Sequence, residues 1–214
     1  MNIAIVGAGN VGRSLAGALT RAGHSVMVSS RKAEDARAIA DETGAQAAPS
    51  NREAVQAADV VILAVPYQAL EDAAREVSDV LDGKVLVDAS NRVSRDDPAS
   101  TIDGTSASEQ LQSAVPAAKV VKAFNTLFAA RMANPIVNGI ALDGLYAGDD
   151  AAAKSHVAQL LGDIGLQPVD AGGLAMARAL EAMTTLLILI NVVNGLSFDN
   201  GWKLVAPSAV STEG

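Results

Sequence analysis

Three glycines stand at Gly7, Gly9 and Gly12 in the run GAGNVG, a G-x-G-x-x-G pattern six residues from the start of the chain. Each has a steric task if the pattern joins a strand to a helix. Gly7 permits the tight turn, Gly9 lets the backbone approach a pyrophosphate, and Gly12 lets helix and strand pack closely. The amides that open the helix, those of Asn10 and Val11 among them, then meet the phosphate oxygens. The second group follows about 20 residues later, where a binder of an unphosphorylated dinucleotide usually places Asp or Glu against the ribose hydroxyls. Here the chain reads Ser29-Ser30-Arg31-Lys32, and the first acid is Glu34. Ser30, Arg31 and Lys32 suit a 2′-phosphate, and no carboxylate is expected close enough to repel it. Charge-assisted bonds contribute roughly 1.5–3 kcal/mol each, so one or two suffice for about a tenfold preference. The expected cofactor is NADP(H). A basic helix start that merely meets solvent is the alternative, and it would oppose the helix dipole.

Ligands of open parallel sheets collect beyond the carboxyl ends of the strands. Val65 and Pro66, then Asn91, then Asn125 and Leu127 fall at three such ends and are the candidates for positioning a ring; loop capping is the plainer role for each. No acid–base constellation accompanies them, so no catalytic side chain is assigned. His24 falls before the second strand and His156 in mid-helix. Two histidines and no cysteine exclude thiolate chemistry and a His-based metal site. Hydride transfer between two bound rings tolerates this scarcity, because the cofactor brings the chemistry and the protein brings alignment.

The elements that must hold these residues alternate between β-branched runs and helical periods, which predicts an α/β class. The expected architecture is a Rossmann-type doubly wound parallel sheet, with a smaller C-terminal α/β segment ending in a long apolar helix. Residues 1–122 form the expected NADP-binding domain and 123–214 the substrate-binding and dimerisation segment. Strands are expected at Asn2–Val6, Ser25–Ser29, Ala45–Ala47, Asp59–Val65, Lys84–Asp88, Lys119–Ala123, Ile140–Ala147 and Gln167–Asp170. Helices are expected at Asn10–Ala22, Lys32–Thr43, Asn51–Ala57, Gln68–Leu81, Ser106–Ser113, Leu127–Ala133, Asp150–Asp163 and Leu174–Asn194. Residues 90–105 read as a long surface loop. Net charge is −8, which disfavours nucleic acid and anionic membranes. The start MNIAIVGAGN lacks a leader signature, and the most apolar stretch, Met183–Leu196, is interrupted by polar residues and is expected to be too short to span a bilayer, so a cytoplasmic protein is expected.

With IAIVGAGNVG, SSRK, KVVKAFNTLFAARMAN and DAGGLAMARALEAM through LLILINVVNG quoted, the chain resembles the NADP oxidoreductases dependent on coenzyme F420, a deazaflavin. The resemblance spans nearly the full length. It implies that Ser30, Arg31 and Lys32 grip the 2′-phosphate, that Val65 and Pro66 border the nicotinamide, and that residues 125–129 border the deazaflavin. Deazaflavin-using members tend to carry His where Asn125 stands. The DASN and AFNT pieces are also similar to the cytosolic reductase domain of the six-transmembrane ferric reductases, which pass hydride from NADPH to a flavin. F420 or flavin is therefore the expected co-substrate. Two other readings remain open: a sensor that binds NADPH without turnover, and a reductase of a small imine or keto acid with Lys122 or Tyr67 as acid. The late apolar helix is expected to form a homodimer.

Overall fold

Strand β1 (Asn2–Val6) sits at the centre of the sheet, and the helix after it, α1 (Asn10–Arg21), begins within four residues of its end. In the computed structural model, which describes residues 1–93 and 104–205, β2 (Ser25–Ser29), α2 (Ala33–Thr43), β3 (Gln46–Ala47) and α3 (Asn51–Gln56) follow. Strand β4 (Val60–Leu63) is buried at every residue, as a β-branched run covered on both faces should be. Helix α4 (Leu70–Glu76) is shorter than the periodicity predicts; Tyr67–Ala69 and Ser78–Val80 form tighter 3₁₀ turns on either side. Then come β5 (Val85–Asp88), α5 (Ala107–Ala114) and β6 (Lys119–Ala123). Residues 94–103 of the expected surface loop lie outside the described residues.

The strand order is β3-β2-β1-β4-β5-β6, all parallel, which is the doubly wound arrangement with its switch point between β1 and β4. Beyond β6 the chain departs from the parallel expectation. Helix α6 (Ala129–Ala133) precedes a two-stranded hairpin of β7 (Ile136–Val137) and β8 (Ile140–Ala141). The single strand expected at Ile140–Ala147 is thus two pieces, and the second, β9 (Asp143–Gly148), runs antiparallel beside β6. Helix α7 (Ala151–Asp163) and β10 (Gln167–Asp170) complete the sheet, β10 being parallel to β9. The expected boundary near Lys122 falls inside β6, and both later strands extend the same sheet. Asp150 caps α7 by accepting from the Ala153 amide at 2.8 Å, while its neighbour Asp149 accepts from Leu174 N.

One face of the sheet is covered by α1, α2 and α7, with Leu15, Leu19, Ile39, Val157 and Leu160 against Ile3, Ile5, Val28 and Ile62. The other is covered by α3, α4 and α5, with Val55, Leu70, Ala74 and Leu111 against Val6, Val61, Leu63 and Leu86. Helix α8 (Ala177–Asn194) lies against α5 and β9. With its lead-in turn, Leu174–Asn194 has mean hydropathy 1.6 and is long and apolar enough to cross a membrane by length and composition. This corrects the expectation that the stretch is too short. It nonetheless buries Glu181, Thr184 and Asn191 against the protein.

Candidate active site

Register aligns the strand ends. Val6 pairs with Ser29 and with Leu63, Leu63 with Asp88, and Asp88 with Lys122, so these five residues form one row across the carboxyl edge. The segments after that row emerge side by side. Gly7, Ala8 and Gly9 meet Ser30 and Arg31 on one side and Ala64, Val65 and Pro66 on the other, around a cleft of about 560 Å³. The structure thus brings together the glycine turn, the β2 end and the β4 end that the sequence singles out.

The glycines differ in what they need. A Cβ on Gly7 would lie 2.3 Å from the Ala64 carbonyl oxygen, and φ is +121°, so only glycine fits the turn. A Cβ on Gly12 would lie 2.0 Å from the Gly7 oxygen, which fixes the close approach of helix to turn. At Gly9 a Cβ would meet nothing within 4 Å, so no neighbour among the described residues demands glycine there. The open space faces outward, where a ligand backbone would come. Gly7 N also donates to Ser29 O at 2.9 Å, locking the turn to the end of β2.

Gly9 caps α1 with no side-chain hydrogen bond, and the first turn carries no acid. The amides at Asn10 and Val11 are therefore left for an anion, and the helix dipole favours one. Arg31 and Lys32 are exposed and join no ion pair among the described residues. Arg31 lines the cleft; Lys32 is the N-cap of α2 and lies outside its lining. The residues present thus fit a dinucleotide phosphate: a Cβ-free approach, uncapped amides and an uncommitted guanidinium. One expectation is corrected. Asp35 lines the same cleft as Arg31, with Asp72 and Glu76 from α4. Asp35 belongs to the first turn of α2, which turns it back toward the strand end. Glu76 is engaged by Asn51 Nδ2 at 2.9 Å.

Asn91, Asn125 and Leu127 do not line that cleft. They belong to a second, buried cluster beyond β5 and β6. Asn125 is fully buried; its Nδ2 reaches Asn91 Oδ1 at 3.0 Å, Leu180 O at 3.0 Å and Thr184 Oγ1 at 3.2 Å. Asn91, half-buried, donates back to Asn125 O at 2.9 Å. Leu127 is buried in the core. Phe124, just before Asn125, adopts φ +64°, a conformation rare for a non-glycine residue.

Beneath these lies a charged cluster. Lys122 is fully buried and its ammonium donates to Asp88 Oδ2 at 2.9 Å, Ser90 O at 2.8 Å and Glu181 Oε1 at 3.0 Å. Burial pushes the Asp88 carboxyl up, but the Lys122 charge and bonds from Lys122, Ser90 and Ser108 prevail and hold it below the usual range. The role of Glu181 was missed in the sequence. The signal was available: an acid within an apolar helix and a lysine within an apolar strand each require an opposite charge.

The histidines stand apart. His24 pairs with Asp163 at 3.1 Å at the opposite edge of the sheet, and His156 is exposed on α7.

A family model described as NADP oxidoreductase coenzyme F420-dependent matches residues 2–92. The F420-dependent NADP reductase of Methanothermobacter marburgensis is 32% identical over 212 residues, covering 91% of this chain and 94% of that protein. The chain belongs to the F420-dependent NADP reductase family. A crystal structure of a putative F420-dependent NADP-reductase from Arthrobacter sp. FB24 superposes with TM-score 0.84 at 29% identity, covering 96% of this chain and 100% of that one. The rat metalloreductase STEAP3 is 34% identical over 191 residues, which are 87% of this chain and 37% of that protein. Within the F420-dependent NADP reductase family, the glycine turn and β4 edge described above fall inside the matched segment, whereas Asn125 and α8 lie beyond it.

Proposed function

We propose that this protein exchanges hydride between NADP(H) and a deazaflavin, coenzyme F420, in one site at the carboxyl edge of the sheet. The observation that carries the reading is the cleft in which Gly7, Gly9, Ser30, Arg31, Val65 and Pro66 converge beside the uncapped start of α1. Gly7, Gly9, Asn10, Val11 and Gly12 hold the pyrophosphate, and Ser30, Arg31 and Lys32 hold the 2′-phosphate. When bound, the nicotinamide supplies or receives hydride at its C4. Val65 and Pro66 flank that ring and exclude water from its outer face. Asn91 and Leu127 shape the place where the second ring meets it, and Asn125 fixes Asn91. The one proton that the deazaflavin takes up with the hydride, or releases in the reverse direction, is exchanged with solvent, so no side chain is asked for it.

A division of labour follows: residues 1–122 hold the nucleotide, and 123–214 supply the acceptor wall and the contact with a second copy. The apolar outer face of α8 supports a homodimer, a cytoplasmic setting goes with this chemistry, and the net charge of −8 is consistent with no nucleic-acid partner. Two features weigh against a small imine or keto-acid substrate. Lys122 has all three protons committed, and the Tyr67 hydroxyl donates to Gln110 at 2.9 Å.

The test is oxidation of NADPH followed at its nicotinamide absorbance with F420 or with FMN as acceptor. Turnover with F420 supports the proposal. Turnover with FMN alone would transfer it to a flavin, and tight NADPH binding with neither acceptor consumed would make the protein a sensor.

A further inference from the structure

Lys122, Asp88 and Glu181 are all fully buried, and two carboxylates surround one ammonium. Asp88 Oδ2 accepts from Ser108 Oγ at 2.7 Å, Asp88 Oδ1 accepts from Ser90 N at 2.8 Å, and Glu181 Oε1 accepts from Ala107 N at 2.9 Å. Glu181 Oε2 is buried with no hydrogen-bond partner among the described residues. Such a cluster is a poor way to gain stability, because well-packed apolar residues of similar volume are often neutral or better. A retained cost of this kind calls for a positional reason.

The placement supplies one. The ammonium joins three segments: the loop after β5 through Ser90 O, the α5 start and β5 end through Asp88, and α8 through Glu181. Asn91 follows Ser90 directly. Asn125 lies three residues after Lys122, across the strained Phe124, and is gripped by Leu180 and Thr184 on either side of Glu181 in α8. Both amides thus hang from the same cluster.

We propose that Lys122 is the positioning residue of the hydride-transfer site, setting the β5 loop against α8 so that Asn91, fixed by the buried Asn125, holds the two rings in reacting alignment. This rests on the functional reading above. Lys122 touches neither ring; it acts through Ser90, Asn91 and Glu181. A misplacement of about 1 Å can lower a transfer rate on the order of 100-fold without weakening binding.

The test compares wild type with Lys122→Met and with the charge-free triple variant Lys122→Met, Asp88→Asn, Glu181→Gln, which keeps folding separable from alignment. Measured are thermal stability, NADP⁺ affinity by calorimetry, amide exchange at Ser90 and Ala107, and kcat and KM with F420. The expected result for the folded triple variant has four parts: NADP⁺ affinity within about threefold of wild type, exchange at both amides faster by about tenfold, kcat lower by about 100-fold, and a larger isotope effect from NADPH deuterated at C4. A folded variant with wild-type kcat, or one whose loss lies wholly in KM, overturns the assignment. If neither variant folds, the cluster is structural and the assignment is likewise rejected. Absence of turnover by wild type with any acceptor would instead reject the functional reading, with the exchange rates still reporting on the link from Lys122 to the loop.

Discussion

Arg31 and Asp35 line one cleft with opposite charges, so selectivity for a 2′-phosphate depends on which is felt more strongly. Arg31 is exposed and uncommitted, and a phosphate bound to it forms a charge-assisted pair of roughly 1.5–3 kcal/mol. Arg31→Ala should raise KM for NADPH by about tenfold or more while KM for NADH moves little. Asp35→Asn should act the other way, tightening NADPH several-fold and leaving NADH unchanged. Steady-state kinetics with both nucleotides decides it, and equal effects of Arg31→Ala on the two would remove the cofactor assignment. At this scale the glycine turn was legible because its steric demands are local: Gly7 and Gly12 are excluded from any other residue by atoms a few positions away or on the neighbouring strand. Asp35 was misjudged because the sequence places it inside a helix without saying which way that helix faces. For Lys122 and Glu181 the sequence shows only that each needs an opposite charge; that they meet each other is not legible, since 59 residues separate the two and no local pattern joins them.

Elements were most legible where burial imposes a period. Strands β1, β2, β5 and β6 match their predicted cores because each is an apolar run flanked by turn residues. Helix α4 was overextended since Val77 and Leu81 keep a helical spacing even though Ser78–Val80 wind as a 3₁₀ turn. The hairpin of β7 and β8 had a sequence signal in Asn138-Gly139, a pair suited to two-residue turns, but two-residue strands on either side are too short to show alternation. The reversal of β9 left no trace, because apolar alternation reads the same in both directions. Helix α5 offers a pH test. Its cap, Ser106, and its third residue, Glu109, form a capping box, and Glu109 also accepts from Arg178 Nε at 2.8 Å. Hydrogen bonds from Arg178, opposed by partial burial and aided by Ser106, lower the Glu109 carboxyl from 4.5 to about 2. A depressed value means stability that is fully present above the unfolded value and lost as pH falls toward about 2. Glu109→Gln should therefore melt below wild type at pH 7, and the gap should close between about pH 4.5 and 2. A gap that persists unchanged at pH 2 would show that the charge contributes nothing. Ser106→Ala should lower stability by about 1 kcal/mol at pH 7.

On the whole molecule, α8 carries two apolar faces. Leu180, Thr184, Leu187 and Asn191 recur at helical spacing and face the protein, buried. Leu186, Leu189 and Val193 recur three and four residues apart on the opposite side, and they are exposed, Val193 by 80% and Leu186 by 50%; Leu196, just past the end of the helix, is exposed as well. A stripe of that spacing is how one helix packs along another, and exposed apolar surface of this continuity marks an interface. In the homodimer proposed above, a second copy would meet it with the same stripe, since a two-fold axis makes the surface its own complement. Burying a Val or Leu side chain contributes about 1.5–3 kcal/mol, and in a symmetric pair each substitution is felt twice. Val193→Asp should thus weaken association by about 100-fold or more, converting a dimer at micromolar concentration into a monomer in sedimentation while thermal unfolding of each subunit keeps its inner contacts. A wild-type monomer at that concentration would overturn the dimer, and flotation of that monomer with lipid vesicles would assign the stripe to a membrane surface instead. If Val193→Asp remains dimeric, the copies meet elsewhere and the outer face of α8 has no part in joining them.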